Sequence, residues 1–423
     1  MFGAQVMTAM ASRGVGCSDV GRKRKQNEDS FVVDEGLGLY VVSDGMGGHA
    51  AGDVASQAAV AFVADTLKSE RDLIDAVREG KSSPATLAAL LKKTGEQANR
   101  HVHGLARTGK GRPGMGATLT MLVVAGDVAV MAHVGDSRLY LVRGEVVSQL
   151  SQDHTITAEM RRAGLISEDE VETSPFAHVL SRAVGTKPEV EFDVLTLEVV
   201  PGDRFLICSD GYSNYLEHPD DLASRLADAA PEELTRTLVD EANAAGGKDN
   251  ITVVVVTVEG DDTDALRTKL LEERYGALRS VFLFSDLDLP LLTRVMTVCD
   301  VESHEAGEMV VTEGEPFEEL IIIVDGRFAL LRGDEVVGHV GAGDHVGATA
   351  LVQGRPARAG LITEEAGHVL RLRREAFRRL TRERPWLGLG LLREMGRMLS
   401  EALDRSWAQR AGAAVPVPDG ERL

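Results

Sequence analysis

Leu39-Tyr-Val-Val-Ser-Asp44-Gly is an apolar run that stops on an aspartate and a glycine, and three more segments repeat the arrangement. They are Val130-Met-Ala-His-Val-Gly-Asp136-Ser, Phe205-Leu-Ile-Cys-Ser-Asp210-Gly and, with the acid leading, Lys248-Asp249-Asn-Ile-Thr-Val-Val-Val-Val. Apolar runs of this length bounded by Gly or Ser read as buried strands that stop at a sheet edge. A lone Asp-Gly after a strand is a turn signal, because Asp bonds its own backbone and Gly supplies φ > 0. Four such acids, joined by Asn27-Glu28-Asp29, can converge although they are far apart in sequence. Left alone they would repel and raise one another's pKa. A hard divalent cation removes that conflict, since Mg²⁺ and Mn²⁺ take carboxylate and carbonyl oxygens. The pattern points to an all-oxygen metal cluster and to hydrolytic or phosphoryl chemistry.

A chain of 423 residues is too long for one ordinary core, so two domains with connectors are expected. Hydrophobic content of 43% with 26% charged residues is that of a soluble globular protein. The formal net charge of −20 argues against a nucleic-acid or anionic-membrane partner. Phosphoproteins stay open as partners, because they need only a local positive spot. The longest apolar stretches, such as Ile251 to Val258, fall far short of a membrane span, and Met1 to Ala11 lacks the basic region of a signal peptide. Cys17, Cys208 and Cys299 show no Cys-x-x-Cys spacing, which fits a reducing cytoplasm. Cys208 lies within a strand-like run and reads as a core thiol.

From Gly14 to Val258, strand-like runs alternate with helical stretches at Val54 to Leu67 and Pro84 to Val102, an α+β pattern with a sheet-rich core. Val128 to Val134 and Arg138 to Val142 flank Gly135-Asp136-Ser137, which reads as a hairpin connection. An insert runs from Ala158 to Val184. The polar stretch Glu259 to Asp264 can cap a helix in which Leu266, Leu270, Leu271, Tyr275 and Leu278 form a stripe, so 259–280 reads as a helical connector. Beyond Lys269 every basic residue is Arg, and from Val281 short strands recur with Gly-containing turns, an all-β jelly-roll pattern. Helices around Arg374 to Glu383 and Leu387 to Leu403 close it, and 411–423 reads as a disordered tail.

Arg24-Lys-Gln-Asn-Glu-Asp29-Ser, Ser43-Asp-Gly-Met-Gly-Gly-His49, Gly114-Met-Gly-Ala-Thr118, Gly135-Asp-Ser-Arg138, Ser209-Asp-Gly211 and Lys248-Asp-Asn250 occur in the order of one family. Residues 12–258 closely resemble the PPM-type (type 2C) metal-dependent serine/threonine protein phosphatases in their bacterial form. The resemblance implies an αββα sandwich with two Mn²⁺ or Mg²⁺ ions at one end. It implies that Asp44 bridges them, that Asp210 and Asp249 complete one shell, and that the Gly45 carbonyl serves the other. Asp136 resembles the aspartate that helps hold a third, weaker metal. Glu28 and Asp29 resemble the acidic pair near the metal waters, with Asn250 beside Asp249 in the same supporting shell. Arg24, four residues before Glu28, sits where the family keeps its phosphate-binding arginine, whose guanidinium grips two oxygens at once. The rest of the basic run Arg22 to Lys25 reads as a solvated face. The implied reaction is attack of a metal-bridging hydroxide on phosphorus, with no phosphoenzyme.

Where eukaryotic members place a His proposed as leaving-group acid, this chain has Met46, as bacterial members do, so the source of that proton is open. His49, after a Gly-Gly pair, reads as a packing residue, His154, in Gln152-Asp-His-Thr, resembles a family segment leading to the flap, and neither is expected to ligate metal, because the site is built from carboxylates. Gly114, Gly116 and Thr118 read as backbone packing beneath it. The insert 158–184 resembles the family's mobile flap, a candidate for substrate choice.

Glu305-Ala-Gly-Glu-Met-Val-Val-Thr-Glu-Gly-Glu315, Leu320-Ile-Ile-Ile-Val-Asp-Gly326 and Gly343-Asp-His-Val-Gly347 resemble the cyclic-nucleotide-binding fold over 281–405. In that family a Gly-Glu helix start holds the ribose and a following Arg holds the cyclic phosphate. Here Ala348 follows Gly347, and Arg358 aligns with the phosphate arginine. Loss of the ribose acceptor leaves ligand hydroxyls unpaired, so no cAMP or cGMP binding is expected, and the domain reads as a regulatory or docking module. The resulting expectation is a cytoplasmic phosphoserine/phosphothreonine phosphatase that counteracts a Ser/Thr kinase. The alternatives are a cyclic-nucleotide-gated phosphatase and an inactive phosphoprotein-binding scaffold. The complete aspartate set speaks against the scaffold.

Overall fold

In the computed structural model of the chain, residues 10–47, 51–108, 114–177, 179–228, 230–260 and 265–410 are described. They form two compact units that divide between Ala265 and Leu266. Expectations for His49, for 261–264 and for the tail 411–423 lie outside the described residues.

The first unit is built on two sheets. Its strands are β1 (Ala11–Asp19), β2 (Asp29–Asp34), β3 (Leu39–Met46), β4 (Gly116–Ala117), β5 (Leu119–Ala125), β6 (Val128–Val134), β7 (Arg138–Arg143), β8 (Val146–Gln149), β9 (Asp193–Glu198), β10 (Arg204–Cys208) and β11 (Ile251–Glu259). One sheet has the order β2-β3-β5-β6-β9, with β4 on β3, and the other β1-β11-β10-β7-β8. The near-continuous apolar runs follow from burial on both faces. In β3, Leu39 and Val41 pack with residues of α1 (Gly52–Ser69) and α3 (Pro84–Arg107), while Tyr40 and Val42 are equally buried on the opposite side. In the other sheet Leu206, Cys208, Val253 and Val255 pack with residues of α7 (Asp221–Asp228) and α8 (Pro231–Ala244). Tyr40 closes the inter-sheet layer by donating to Ser12 Oγ at 2.9 Å. A Cβ on Gly14 would lie 2.2 Å from the Tyr40 ring, so β1 can cross there only as glycine. The result is the αββα sandwich that the family resemblance implies.

The expected hairpin at 135–137 is not one. β6 pairs with β5 and β9, whereas β7 pairs with β10 and β8, so Gly135-Asp136-Ser137 carries the chain from one sheet to the other. All seven residues of β6 are buried between two neighbours, which leaves β7 no free edge to join. The register then decides where the acids fall. Cys208 pairs with both Val253 and Arg138, Leu119 with Val134, and Val42 with Thr120. The ends of β3, β6 and β10 and the starts of β2, β7 and β11 therefore share one rim.

The second unit opens with α9 (Ala265–Ser280) and α10 (Leu289–Met296). In α9, Leu271 and Leu278 are buried but Leu266 is 66% exposed, so the expected stripe begins one turn later. Two four-stranded sheets follow. In the segment Glu319–Ile323, Ile321 and Ile323 join Phe328, Val340, Leu361 and Val369 between the sheets. Leu320 and Ile322 alternate outward against Leu278, Leu292, Phe377 and Leu387 of the surrounding helices and Phe284 of the turn between the first two. This is the jelly-roll pattern with flanking helices, the last two being Arg374–Glu383 and Pro385–Arg410. Among the described residues no helix is long and apolar enough to cross a membrane.

Candidate active site

Five carboxylates meet at the rim of the first unit. Asp44 lies two residues before the end of β3, Asp210 follows β10, Asp249 precedes β11, Asp136 sits in the sheet crossover, and Asp29 opens β2 directly opposite Asp44. Like charges placed opposite one another destabilise a sheet. Burial, and then the charges of Asp29, Asp210, Asp136 and Asp249, push Asp44 well above the usual carboxylate range. Burial, with Asp210 and Asp153 nearby, pushes Asp136 up to about 8. Asp29 is raised to about 7 by burial, although the Thr252 and Ser209 hydroxyls oppose the shift. Burial also raises Glu28, against the pull of Arg24.

The backbone beneath is tied by short polar bonds. Asp44 N–H donates to Thr118 Oγ1 at 2.8 Å, and Thr118 N–H donates to the Asp44 carbonyl at 2.8 Å. Gly45 N–H donates to the Glu28 carbonyl at 3.1 Å, and Glu28 N–H to Asn250 Oδ1 at 2.8 Å. Asn250 Nδ2 reaches the carbonyls of Val20 and Gln26, both at 2.9 Å, and so lashes the loop bearing Arg24 to the start of β11. Arg24 itself is exposed, and its Nη2 meets Asp249 Oδ2 at 2.5 Å.

Three hydroxyls with roles here are not singled out by sequence. Ser209 and Thr252 donate to Asp29 Oδ2 at 2.8 and 2.6 Å, and Ser43 donates to the Thr118 carbonyl at 2.6 Å. The two Ser-Asp-Gly repeats carry the available signal, since alternation along a strand turns each Ser away from its Asp neighbour and into the layer behind. Thr118, expected to be backbone packing, instead binds Asp44 with its side chain.

Among the described residues no three Asp, Glu, His or Cys side chains close into a tight metal cage. The donor set still fits a hard divalent cation. It offers only oxygen, the neighbouring acids add to the rise of Asp44, and Asp29 Oδ1 is buried without a hydrogen-bond partner among the described residues. Mg²⁺ in particular keeps several waters and is held by one or two carboxylates, so a close cage is not required.

In the second unit Arg358 is exposed, and the adjacent inward position is held by Ala357, 8% exposed. Ala348 is buried against the apolar cluster of the helices. The bend at 358, between the short strand Arg355–Pro356 and the strand that starts at Gly360, thus leaves its cation in solvent.

The sequence matches the protein phosphatase 2C family over residues 17–242 and the cyclic nucleotide-binding domain over residues 301–384. It is 35% identical over 251 residues to protein phosphatase PhpP of Streptococcus pneumoniae serotype 2, covering 58% of this chain and 98% of that protein. The serine/threonine phosphatase PstP/Ppp of Mycobacterium tuberculosis superposes with a TM-score of 0.52 at 32% identity, over 59% of this chain and 99% of that one. A catalytic domain of PstP in complex with two manganese ions gives a TM-score of 0.51 at 32% identity, again over 59% and 99% of the two chains.

Proposed function

The chain belongs to the protein phosphatase 2C family, and from that membership we propose that it is a protein-serine/threonine phosphatase acting through Mn²⁺ or Mg²⁺ at the acidic rim of residues 12–258. The gathering of Asp44, Asp136, Asp210 and Asp249 at one end of the sandwich carries the reading. Asp44, Asp210, Asp249 and the Gly45 carbonyl would hold two cations, and Asp136 would help hold a third. When bound, such cations supply an acidified water and the positive charge that a phosphate dianion requires. Arg24 keeps further guanidinium donors beyond the one on Asp249, and with them it grips and orients the phosphate. Asn250 fixes that arginine's loop, and Asp29 and Glu28 orient water at the rim. The phosphorylated partners are proteins modified by a Ser/Thr kinase, in the cytoplasm.

The test is direct. p-Nitrophenyl phosphate and phosphothreonine peptides should be cleaved with Mn²⁺ and spared with EDTA, and Asp210→Asn should lower the rate by orders of magnitude. Turnover in metal-free buffer, or a fully active Asp210→Asn, refutes the assignment.

Residues 281–405 serve as a regulatory or docking module that takes no cyclic nucleotide. Ala348 offers no acceptor for a ribose hydroxyl, Arg358 faces outward, and Phe328, Ile321 and Ile323 fill the space between the sheets.

A further inference from the structure

Gly135, the residue before Asp136, is held through both of its backbone polar groups by a single residue. His154 N–H donates to the Gly135 carbonyl at 2.8 Å, and Gly135 N–H donates to His154 Nδ1 at 3.1 Å. The second bond fixes the tautomer: Nδ1 accepts, so the ring proton sits on Nε2, which faces Asp193 Oδ2 at 3.3 Å. Asp193 opens β9 and takes Arg182 Nη1 at 3.3 Å on its other oxygen. The turn has little room to shift. Gly135 has φ +114°, and a Cβ there would lie 2.6 Å from Thr118 Cβ. Its other flank is tied as well, since Ser137 Oγ lies 2.7 Å from the Thr118 Oγ1 that accepts Asp44 N–H.

A second imidazole backs the first. His133 Nε2 donates to the Gln152 carbonyl at 3.1 Å, and its Nδ1 accepts from Thr120 Oγ1 at 2.9 Å. The two rings lie 4.9 Å apart, and both residues are fully buried. His154 also marks the mouth of the 158–184 insert, because its carbonyl accepts Ser181 N–H at 2.8 Å. A residue that only filled space would not commit both ring nitrogens and both backbone groups to the acidic turn and the root of the insert.

We propose that His154, oriented by Asp193, is the positioning residue for Asp136: it holds the Gly135 peptide so that the Asp136 carboxylate stays at the acidic rim, and it ties that carboxylate to the root of the insert. This rests on Asp136 holding a cation. Groups that orient a ligand in this way change metal affinity by about 10–100-fold when removed.

The experiment uses the full chain with Mn²⁺ as the probe, titrated calorimetrically beside p-nitrophenyl phosphate kinetics. In His154→Leu the weakest Mn²⁺ equivalent should loosen by about 10–100-fold. The tighter equivalents and KM should hold, and the Mn²⁺ needed for half-maximal kcat should rise in step. His154→Asn, whose Oδ1 can accept from Gly135 N–H, should recover most of the loss. If His154→Leu does not fold, Asp193→Ala decides, because it leaves the ring and removes its anchor. The same selective loosening supports the proposal. Wild-type weak-site affinity in the deciding variant, equal loss at every site, Asn no better than Leu, or a wild type that binds only two Mn²⁺ overturns it. Hydrogen exchange across 133–138 without metal separates this inference from the functional reading. Fast exchange in His154→Leu and slow exchange in His154→Asn supports the Gly135 clamp even if the wild type proves inactive, and equal exchange refutes it.

Discussion

Replacing Arg24 by alanine separates two roles that share one guanidinium. Its bond to Asp249 Oδ2 is 2.5 Å long, yet the two side chains are 49% and 32% exposed. Such a pair contributes at most about 1 kcal/mol to folding. A bond from the same group to a phosphate dianion is worth about 1.5–3 kcal/mol. At about 1.36 kcal/mol per decade, Arg24→Ala should lower kcat/KM for a phosphothreonine peptide by roughly 10–150-fold. Mn²⁺ affinity should not weaken, because the substitution releases a carboxylate oxygen of Asp249. Arg24→Lys should recover little, since an ammonium cannot present two parallel donors. The assay is steady-state kinetics at saturating Mn²⁺ with calorimetric titration of the metal. Kinetics equal to wild type would return Arg24 to the solvated basic run. A fall in Mn²⁺ affinity matching the fall in rate would show that it acts through Asp249.

Two further outcomes follow from the same structure. Asp136 and Asp29 are raised to about 8 and 7, above an unfolded value near 3.8, so between about pH 4 and 8 the folded state binds more protons than the unfolded one. Metal-free protein should therefore lose stability from these groups as pH rises through that window; thermal unfolding with a chelator should show the decline, Asp136→Asn should flatten it and Mn²⁺ should remove it, whereas an identical slope in the variant would contradict the assignment. Calorimetric titration of the full chain with cAMP and cGMP should show no binding at micromolar concentration and no change in phosphatase rate, and a micromolar dissociation constant lost in Arg358→Ala would restore the gated-phosphatase reading.

The acidic rim was legible in the sequence because strand ends announce themselves: an apolar run, then Asp, then a small residue. Sequence could not say which strands share a sheet. Val128 to Val142 has the spacing of a hairpin, and only the absence of a free edge on β6 sends β7 across the sandwich. The supporting hydroxyls were hidden for a related reason. Thr118, between β4 and β5, meets Asp44 across 74 positions of chain, and Thr252 and Asp29 meet across 223, so no local spacing marks them. His154 is fully buried, and its bonds to Gly135 depend on a crossover that periodicity does not encode. In the second unit the short strands with Gly-containing turns were visible, but Leu320 to Ile323 is apolar throughout, so its split between two clusters was not. The exposure of Arg358 follows from its place in a bend between two short strands, which no hydrophobic period marks.

The first strand of the phosphatase unit is paired along its whole length with the last, Ala11 opposite Glu259 and Asp19 opposite Ile251. β11 is also the neighbour of β10, so it enters between two strands that have been waiting for it. On a ribosome adding about 5–20 residues per second, β1 stays without its partner for roughly ten to fifty seconds. Until then the emerging chain presents two unpaired edges, of the kind that recruit other strands. Nascent chains of this protein should thus depend more on holdase chaperones than the finished fold would suggest, and release from them should coincide with the emergence of Val253 to Val256.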